Sequence, residues 1–274
     1  MSIYLIAEGG LNHNGHLDWA LKLCQQAKDA GCNAIKFQKR EIEVSTPKEM
    51  WNVQREWEGE IISYIDYRRK VELGKHEYDV IAYRCGQLEM DFSLSVWDEP
   101  SLDFAMQYGL PWIKIPSAHL TNHALLDKAS SHGYPLVVST GMSTEREIGE
   151  AMQHIPNITG ASVMHCTSTY PARDETLNLL YIKKLSYFGL PVGFSSHSPT
   201  PFPAIGAGYL GAKSVEAHLA LDRTLPGSDQ AASLELKGMQ LLRRELDRID
   251  VVMGSGEKEI YPDELPIRKK LRGY

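Results

Sequence analysis

The chain has 274 residues, 43% of them hydrophobic and 23% charged, an ordinary globular composition and enough length for one large α/β domain. Its formal charge of −6 argues against a nucleic-acid surface, yet a few local cations could still face a small anion. Cys24, Cys32, Cys85 and Cys166 show no C-x-x-C spacing, no apolar run approaches the ~18 residues of a membrane span, and residues 3–7 are too short for a signal-peptide core, so a cytoplasmic protein with no membrane partner, disulfide framework or zinc ribbon is expected.

Strand and helix alternate along the chain. Residues 4–7 read as a strand and GGLNHNG as a loop, after which Leu17, Ala20, Leu21, Cys24 and Ala27 recur at helical spacing until Gly31. Residues 34–37 form the second strand. Residues 39–59 are charged, contain Pro47, Trp51 and Trp57, and make a long loop of the kind that is usually functional or disordered. Helical spacing returns in SYIDYRRKVEL and again over residues 76–87. The third strand is 92–96, with Asp98 placed to cap the next helix; the fourth is 112–115, followed by Thr121 as a candidate cap. Residues 136–139 are the fifth, leading into a capping box, Thr144-x-x-Glu147. Residues 162–165 are the sixth, and a helix around 177–185 leads to the seventh at 192–194.

The stretch 192–233 carries two histidines. His197 follows PVGF, His218 closes SVEAH, and PFPAIGAGYLGA between them is long enough for about three helical turns at roughly 3.6 residues each. Strand, helix and parallel strand form a βαβ unit, whose strands end at one edge of the sheet. Two imidazoles brought to one rim, near Glu216 and Asp229, suit a divalent transition metal, whereas either histidine alone could simply finish its strand. Residues 214–216 are the eighth strand, and a last amphipathic helix begins near Ser233 with Leu236, Met239, Leu242, Leu246 and Ile249. Residues 255–274 are a tail ending in the basic segment PIRKKLRGY.

Eight strands alternating with helices predict a single-domain (β/α)₈ TIM barrel spanning 1–274. A doubly wound open sheet is the alternative, but no G-x-G-x-x-G follows any strand. In a barrel, polar residues at the carboxyl ends of strands converge on the active face. Here these are Glu8, Lys36 and Gln38, Ser95, Lys114 and Ser117, Ser139 and Thr140, His165 and Thr167, Ser195 and His197, and Glu216 and His218. Lysines inside AIKF and WIKI need partners, either a bound anion or Glu8 and Glu216. Cations, hydroxyls and a two-histidine site together describe a pocket for a phosphorylated or carboxylated small molecule.

The segments IAEGGLNHNG, AIKFQ, WIKIPS, VSTGMS, HCTSTYP, GFSSHS, VEAHLALDR and GSDQAASLE, in this order, resemble the N-acetylneuraminate (sialic acid) synthase family over nearly the whole chain. The resemblance implies condensation of phosphoenolpyruvate with an N-acetylhexosamine such as N-acetylmannosamine, a divalent cation, usually Mn²⁺, and a homodimer. Pseudaminic or legionaminic acid synthesis is the close alternative, and a metal-dependent sugar isomerase or phosphatase the distant one. By position, His197 and His218 resemble the metal ligands, and Lys36, Lys114, Ser117, Ser139, Ser195 and Ser95 the phosphoenolpyruvate site. Glu8 and Glu216 resemble acids beside the reacting carbons, and Gln38, Tyr170 and Asp229 contacts to the sugar or to water. Three departures stand out. His119 in PSAHL lies near an acid of many members, Ser196 replaces the Asp of S-D-H, and the chain ends about where a small antifreeze-like domain often begins. Sugar recognition is therefore expected from residues 39–59, acting as a lid with Trp51 and Trp57, or from the basic tail.

Overall fold

In a computed structural model, which describes residues 2–155 and 160–273, eight parallel strands close into a barrel ringed by helices. In chain order the strands are β1 (Tyr4–Gly10), β2 (Ala34–Lys39), the hairpin β3 (Gln54–Trp57) and β4 (Glu60–Ser63), β5 (Asp91–Val96), β6 (Ile113–Ile115), β7 (Leu136–Ser139), β8 (Ser162–Cys166), β9 (Val192–Ser196) and β10 (Ser214–His218). Around the barrel the order is β1-β10-β9-β8-β7-β6-β5-β2, and β2 closes on β1 with Glu8 opposite Lys36. Closure excludes the open doubly wound sheet.

Side chains alternate along each strand, and this separates two cores. Leu5, Ala7, Ile35, Phe37, Leu94, Ile113, Val138, Val163 and Phe194 pack outward against the helices. The inward series is apolar at the bottom of the barrel, where Ile6, Ala34, Trp112, Val137 and Met164 cluster, and polar toward the carboxyl ends. Continuing the same inward alternation along β1, β7, β8 and β10 gives Glu8, Ser139, Cys166 and His218. The fold thus places a polar cup on an apolar floor.

Local signals explain most boundaries. Asp98 accepts a hydrogen bond from the Ser101 backbone N–H at 2.7 Å, and Thr144 and Glu147 form the expected reciprocal capping box. The cap expected at Thr121 falls one residue later: Asn122 accepts from Leu125 N–H at 3.2 Å, ahead of the helix His123–Ser131. The crossover helix Phe202–Tyr209 has eight residues, about two turns rather than three, because Gly211 turns the chain at φ +99°. The helix expected near Ser233, Leu236–Met253, starts three residues later, since Gln230–Ala232 form a 3₁₀ turn and Leu234 bridges to Leu219, and it is not the last, because Glu264–Arg272 follows it.

Residues 39–59 are not the irregular loop that their composition predicts. They hold the short helix Ile42–Ser45, a 3₁₀ turn and β3, the first strand of the β3–β4 hairpin. Trp57 anchors this excursion, buried with Leu11, Tyr67 and Val71, its ring 4.9 Å from that of Tyr67. Trp51 donates its Nε1–H to the Thr46 carbonyl at 3.0 Å. Both rings serve the packing of the excursion and neither lines the central pocket. In the tail, Glu264–Arg272 is an exposed helix with Lys269, Lys270 and Arg272 in its last turn; Tyr274 lies outside the described residues. Among the described residues no helix is long and apolar enough to cross a membrane.

Candidate active site

The polar cup contains four alternating charges, all buried. Lys36 Nζ lies 2.5 Å from Glu8 Oε2 and 3.6 Å from Glu216 Oε1, and Lys114 Nζ lies 2.6 Å from Glu216 Oε2. Burial pushes the Glu216 carboxyl up, but Lys114 and Lys36 outweigh it and hold it down at about 2. Glu8 moves the other way: burial and the neighbouring Glu216 raise it beyond what Lys36 can offset. Burial lowers Lys114 despite Glu216, whereas Lys36, between two carboxylates, is raised in spite of burial. The two lysines therefore take Glu8 and Glu216 as partners, the second of the two readings of AIKF and WIKI, and both also line the pocket.

Hydroxyls and amides surround this quartet. Lys36 donates to Ser95 Oγ at 2.6 Å, Ser195 Oγ donates to Glu216 Oε1 at 3.3 Å, and Gln38 Nε2 donates to Glu8 Oε1 at 3.0 Å. Ser139 Oγ is buried with no partner among the described residues, an orphan donor in the same pocket as the lysines. Ser117 Oγ accepts from Gly141 N–H at 3.0 Å, and a Cβ on Gly141 would stand 2.1 Å from Ser168 Oγ and 2.8 Å from Ser117 Oγ. The missing side chain at Gly141 thus lets Ser117 and Ser168 cradle the backbone from the pocket wall, where both hydroxyls stand as hydrogen-bond donors for an oxyanion.

The two imidazoles meet as their placement on adjacent strands predicts, with ring centroids 5.3 Å apart. Tyr170 stacks on His197 at 3.9 Å. His197 Nδ1 donates to the Thr167 carbonyl at 2.6 Å, which leaves Nε2 with a free lone pair. Burial opposes charge on His197, but Cys166 and that carbonyl raise its proton affinity above the usual value. His218 Nδ1 is buried without a hydrogen-bond partner among the described residues, 3.8 Å from Asp229 Oδ2, and burial brings this imidazole down to about 4, neutral at pH 7. Among the described residues no group of three or more His, Cys, Asp or Glu side chains forms a complete cation site. The donors present fit a divalent cation that shares its coordination between two imidazoles and oxygen ligands from substrate or water.

Of the residues singled out by sequence, Glu8, Lys36, Gln38, Ser95, Lys114, Ser117, Ser139, Tyr170, Ser195, His197, Glu216 and His218 line one pocket. Asp229 lines an adjoining cavity that shares Gln38, Trp97, Ala118 and Tyr170 with the first. Its carboxylate packs 3.3 Å from where a Cβ on Gly10 would lie, and Gly10 itself has φ +48°. Thr140, His165 and Thr167 do not join them: each bonds a backbone carbonyl, of Met164, Leu177 and Thr176 respectively. Sequence reasoning missed Trp97, Met142, Cys166 and Ser168 in the first pocket and Arg40, Arg68 and Ser45 in the second. Arg40 was legible, since Lys36, Gln38 and Arg40 share one face of an extended chain. Arg68 was not, because it arrives on a helix whose place beside the barrel only the folded excursion determines.

A closed parallel barrel with its polar pocket at the carboxyl ends of the strands defines the class: a (β/α)₈ barrel with the active-site position of barrel enzymes. The NeuB family profile matches residues 23–258, and the chain belongs to that family. It is 34% identical to an N,N'-diacetyllegionaminic acid synthase of Legionella pneumophila, over 99% of this chain and 79% of that protein. It is 30% identical to an N-acetylneuraminate-9-phosphate synthase of Homo sapiens, over 98% of this chain and 76% of that protein. A crystal structure of an N-acetylneuraminic acid (sialic acid) synthetase from Leptospira borgpetersenii, in complex with citrate, superposes with a TM-score of 0.86 at 30% identity, covering 100% of this chain and 94% of that one. A truncated 3-deoxy-D-arabino-heptulosonate 7-phosphate synthase from Thermotoga maritima, at 16% identity and a TM-score of 0.67, shares the fold.

Proposed function

We propose that this chain condenses phosphoenolpyruvate with a 2-acylamino sugar to a nine-carbon 2-keto sugar acid, releasing inorganic phosphate. The observation that carries this reading is the buried Glu8–Lys36–Glu216–Lys114 quartet beside an orphan Ser139 hydroxyl and the Gly141 cradle. A small dianion with a second acidic group needs that combination of fixed cations and donors.

In this reading Lys36, Lys114 and the hydroxyls of Ser117, Ser139 and Ser168 hold the phosphate and carboxylate, fixing the enol carbon toward the histidines. The enol carbon attacks the carbonyl carbon of the acceptor, a carbon–carbon bond forms, and the carbonyl oxygen takes a proton. Water then adds to the cationic second carbon and loses one proton, and the hydroxyl so formed gives its remaining proton to the departing phosphate as the carbon–oxygen bond to phosphate breaks, leaving the ketone. Glu216, held ionised by two lysines, sits where positive charge develops. Glu8, with its raised proton affinity, is the group placed to hold and pass the proton. His197 and His218 would hold a divalent cation, Mn²⁺ in our proposal, which when bound polarises the acceptor's carbonyl. Gln38 and Asp229 face the acceptor, and Tyr170 supports the His197 ring.

The relatives' names include sialic, legionaminic and pseudaminic acid synthases, and some carry a phosphate in the product. The acceptor is thus an acylamino sugar, free or phosphorylated. A cytoplasmic homodimer belongs to the same proposal. Phosphate release from phosphoenolpyruvate, assayed against a panel of N-acetylhexosamines, tests the reading. Release that requires a sugar supports it, and release at the same rate without one overturns it.

A further inference from the structure

Two buried asparagines in the GGLNHNG loop, Asn12 and Asn14, take no part in the condensation as described; they are 1% and 5% exposed. Asn12 Nδ2 gives both hydrogens across the molecule, one to the Leu219 carbonyl at 2.8 Å and one to Ser233 Oγ at 2.9 Å. Its backbone carbonyl accepts from Gln230 Nε2 at 3.3 Å. Asn14, with its backbone at φ +50°, donates through Nδ2 to the Pro226 carbonyl at 2.7 Å. These partners all belong to one segment, residues 219–233, which leaves the end of β10 and returns to the bridge between Leu219 and Leu234.

That segment is a strap over the barrel rim. Its regular structure is the 3₁₀ turn Gln230–Ala232, and it is exposed over 222–224 and 226–228, yet Asp229 and Gln230 are buried. Ser233 Oγ, held by Asn12, donates in turn to the Asp229 backbone carbonyl at 2.7 Å. Asn12 thus fixes the strap behind Asp229, and Asn14 fixes it ahead, at Pro226. The consequence reaches the pocket. The Asp229 carboxylate comes to 3.8 Å from His218 Nδ1, and with Glu8 and Gln38 it crowds Gly10, each 3.1–3.3 Å from where a Cβ would stand. A buried donor or acceptor stripped of its partner costs more than the bond itself contributes, so such pairs hold a loop in one place. We propose that Asn12 and Asn14 are positioning residues, which hold the strap so that Asp229 meets the acceptor sugar and act on the reaction only through Asp229. Which substrate feels their loss rests on the condensation reading; the attachment of the strap does not.

Hydrogen exchange read by mass spectrometry follows the strap without turnover. A neutral hydrogen bond corresponds to roughly two- to tenfold, so peptides covering 220–232 should exchange up to about tenfold faster in Asn12→Ala and Asn14→Ala, with the barrel strands protected as in wild type. In kinetics, kcat/KM for the acceptor should fall about tenfold in either variant, while KM for phosphoenolpyruvate stays within about twofold. Ser233→Ala, which cuts only the relay to Asp229, should give a smaller loss of the same kind. Asn14→Ala, at the exposed end of the strap, carries the test if Asn12→Ala does not fold. In an Asp229→Asn background the same substitutions should cost less than about twofold, because the group they position is already gone. Unchanged exchange in the strap, equal losses for both substrates, or fully additive losses beside Asp229→Asn would overturn the inference and leave the asparagines a purely structural role. If wild-type protein shows no sugar-dependent phosphate release, the condensation reading falls alone. Exchange then decides this inference: a rise confined to the strap supports it, and an unchanged pattern overturns it.

Discussion

Glu216 lies between two ammonium groups, and its replacement isolates both. Glu216→Gln keeps the volume but leaves Lys36 short of one carboxylate and Lys114 with none at ion-pair distance. Removing one member of a buried pair costs about 3–5 kcal/mol, which urea unfolding at pH 7 should register as a lower midpoint at similar slope. The pH dependence has a definite sign. The carboxyl titrates near 4.5 when unfolded and about 2 when folded, so its contribution is complete above pH 4.5 and is lost as pH falls toward 2. The gap between wild type and variant should be flat from pH 7 to 5 and close below 4.5; a gap that persists unchanged to pH 2 contradicts the charge network. Gly141 gives a second prediction at this scale. In Gly141→Ala the new methyl collides with Ser168 and Ser117, so the Michaelis constant for phosphoenolpyruvate should rise about tenfold or more, with the sugar constant less affected. An unchanged phosphoenolpyruvate constant would mean that the cradle is not used.

Among the elements, the excursion between β2 and β5 separates packing from chemistry. Trp57 is its apolar anchor, so Trp57→Ala should cost about 3–5 kcal/mol locally and expose the backbone around Arg55 to proteolysis. Ser45, Thr46 and Arg68 wall the second cavity, hence the sugar Michaelis constant should rise while that for phosphoenolpyruvate stays close to wild type. Equal increases for both substrates would show that the excursion supports the whole barrel mouth. Thr144→Ala is the control, costing about 1 kcal/mol through the lost cap with no kinetic effect. The barrel strands could be read from sequence because short apolar runs bounded by turn residues leave few other structures open to them. The excursion could not: its charged residues carry no strong period, and its order comes from Trp57, Leu11, Tyr67 and Val71, which are separated in sequence and meet only in the fold.

For the molecule as a whole, the site was legible to the extent that barrel geometry converts strand ends into neighbours. Eleven side chains chosen by that rule line one pocket, joined there by Tyr170, which only the family resemblance had named, and the inward alternation explains why His165 and Thr140 do not. Arg68 escaped because its approach to the pocket depends on tertiary packing of an inserted helix. Removal of divalent cations with a chelator should abolish turnover and Mn²⁺ should restore it, since His197 and His218 present free imidazole nitrogens; full activity in a metal-free His218→Ala protein would contradict that role. In the proposed reaction phosphate leaves by carbon–oxygen cleavage after carbon–carbon bond formation. Phosphoenolpyruvate labelled with ¹⁸O at the bridging position tests it most directly, with an N-acetylhexosamine and Mn²⁺ supplied and the products read by mass spectrometry. The label should appear in inorganic phosphate and not in the sugar acid, with no phosphate formed when the sugar is omitted; label retained in pyruvate, formed without any sugar, would make the protein a phosphatase and contradict the condensation.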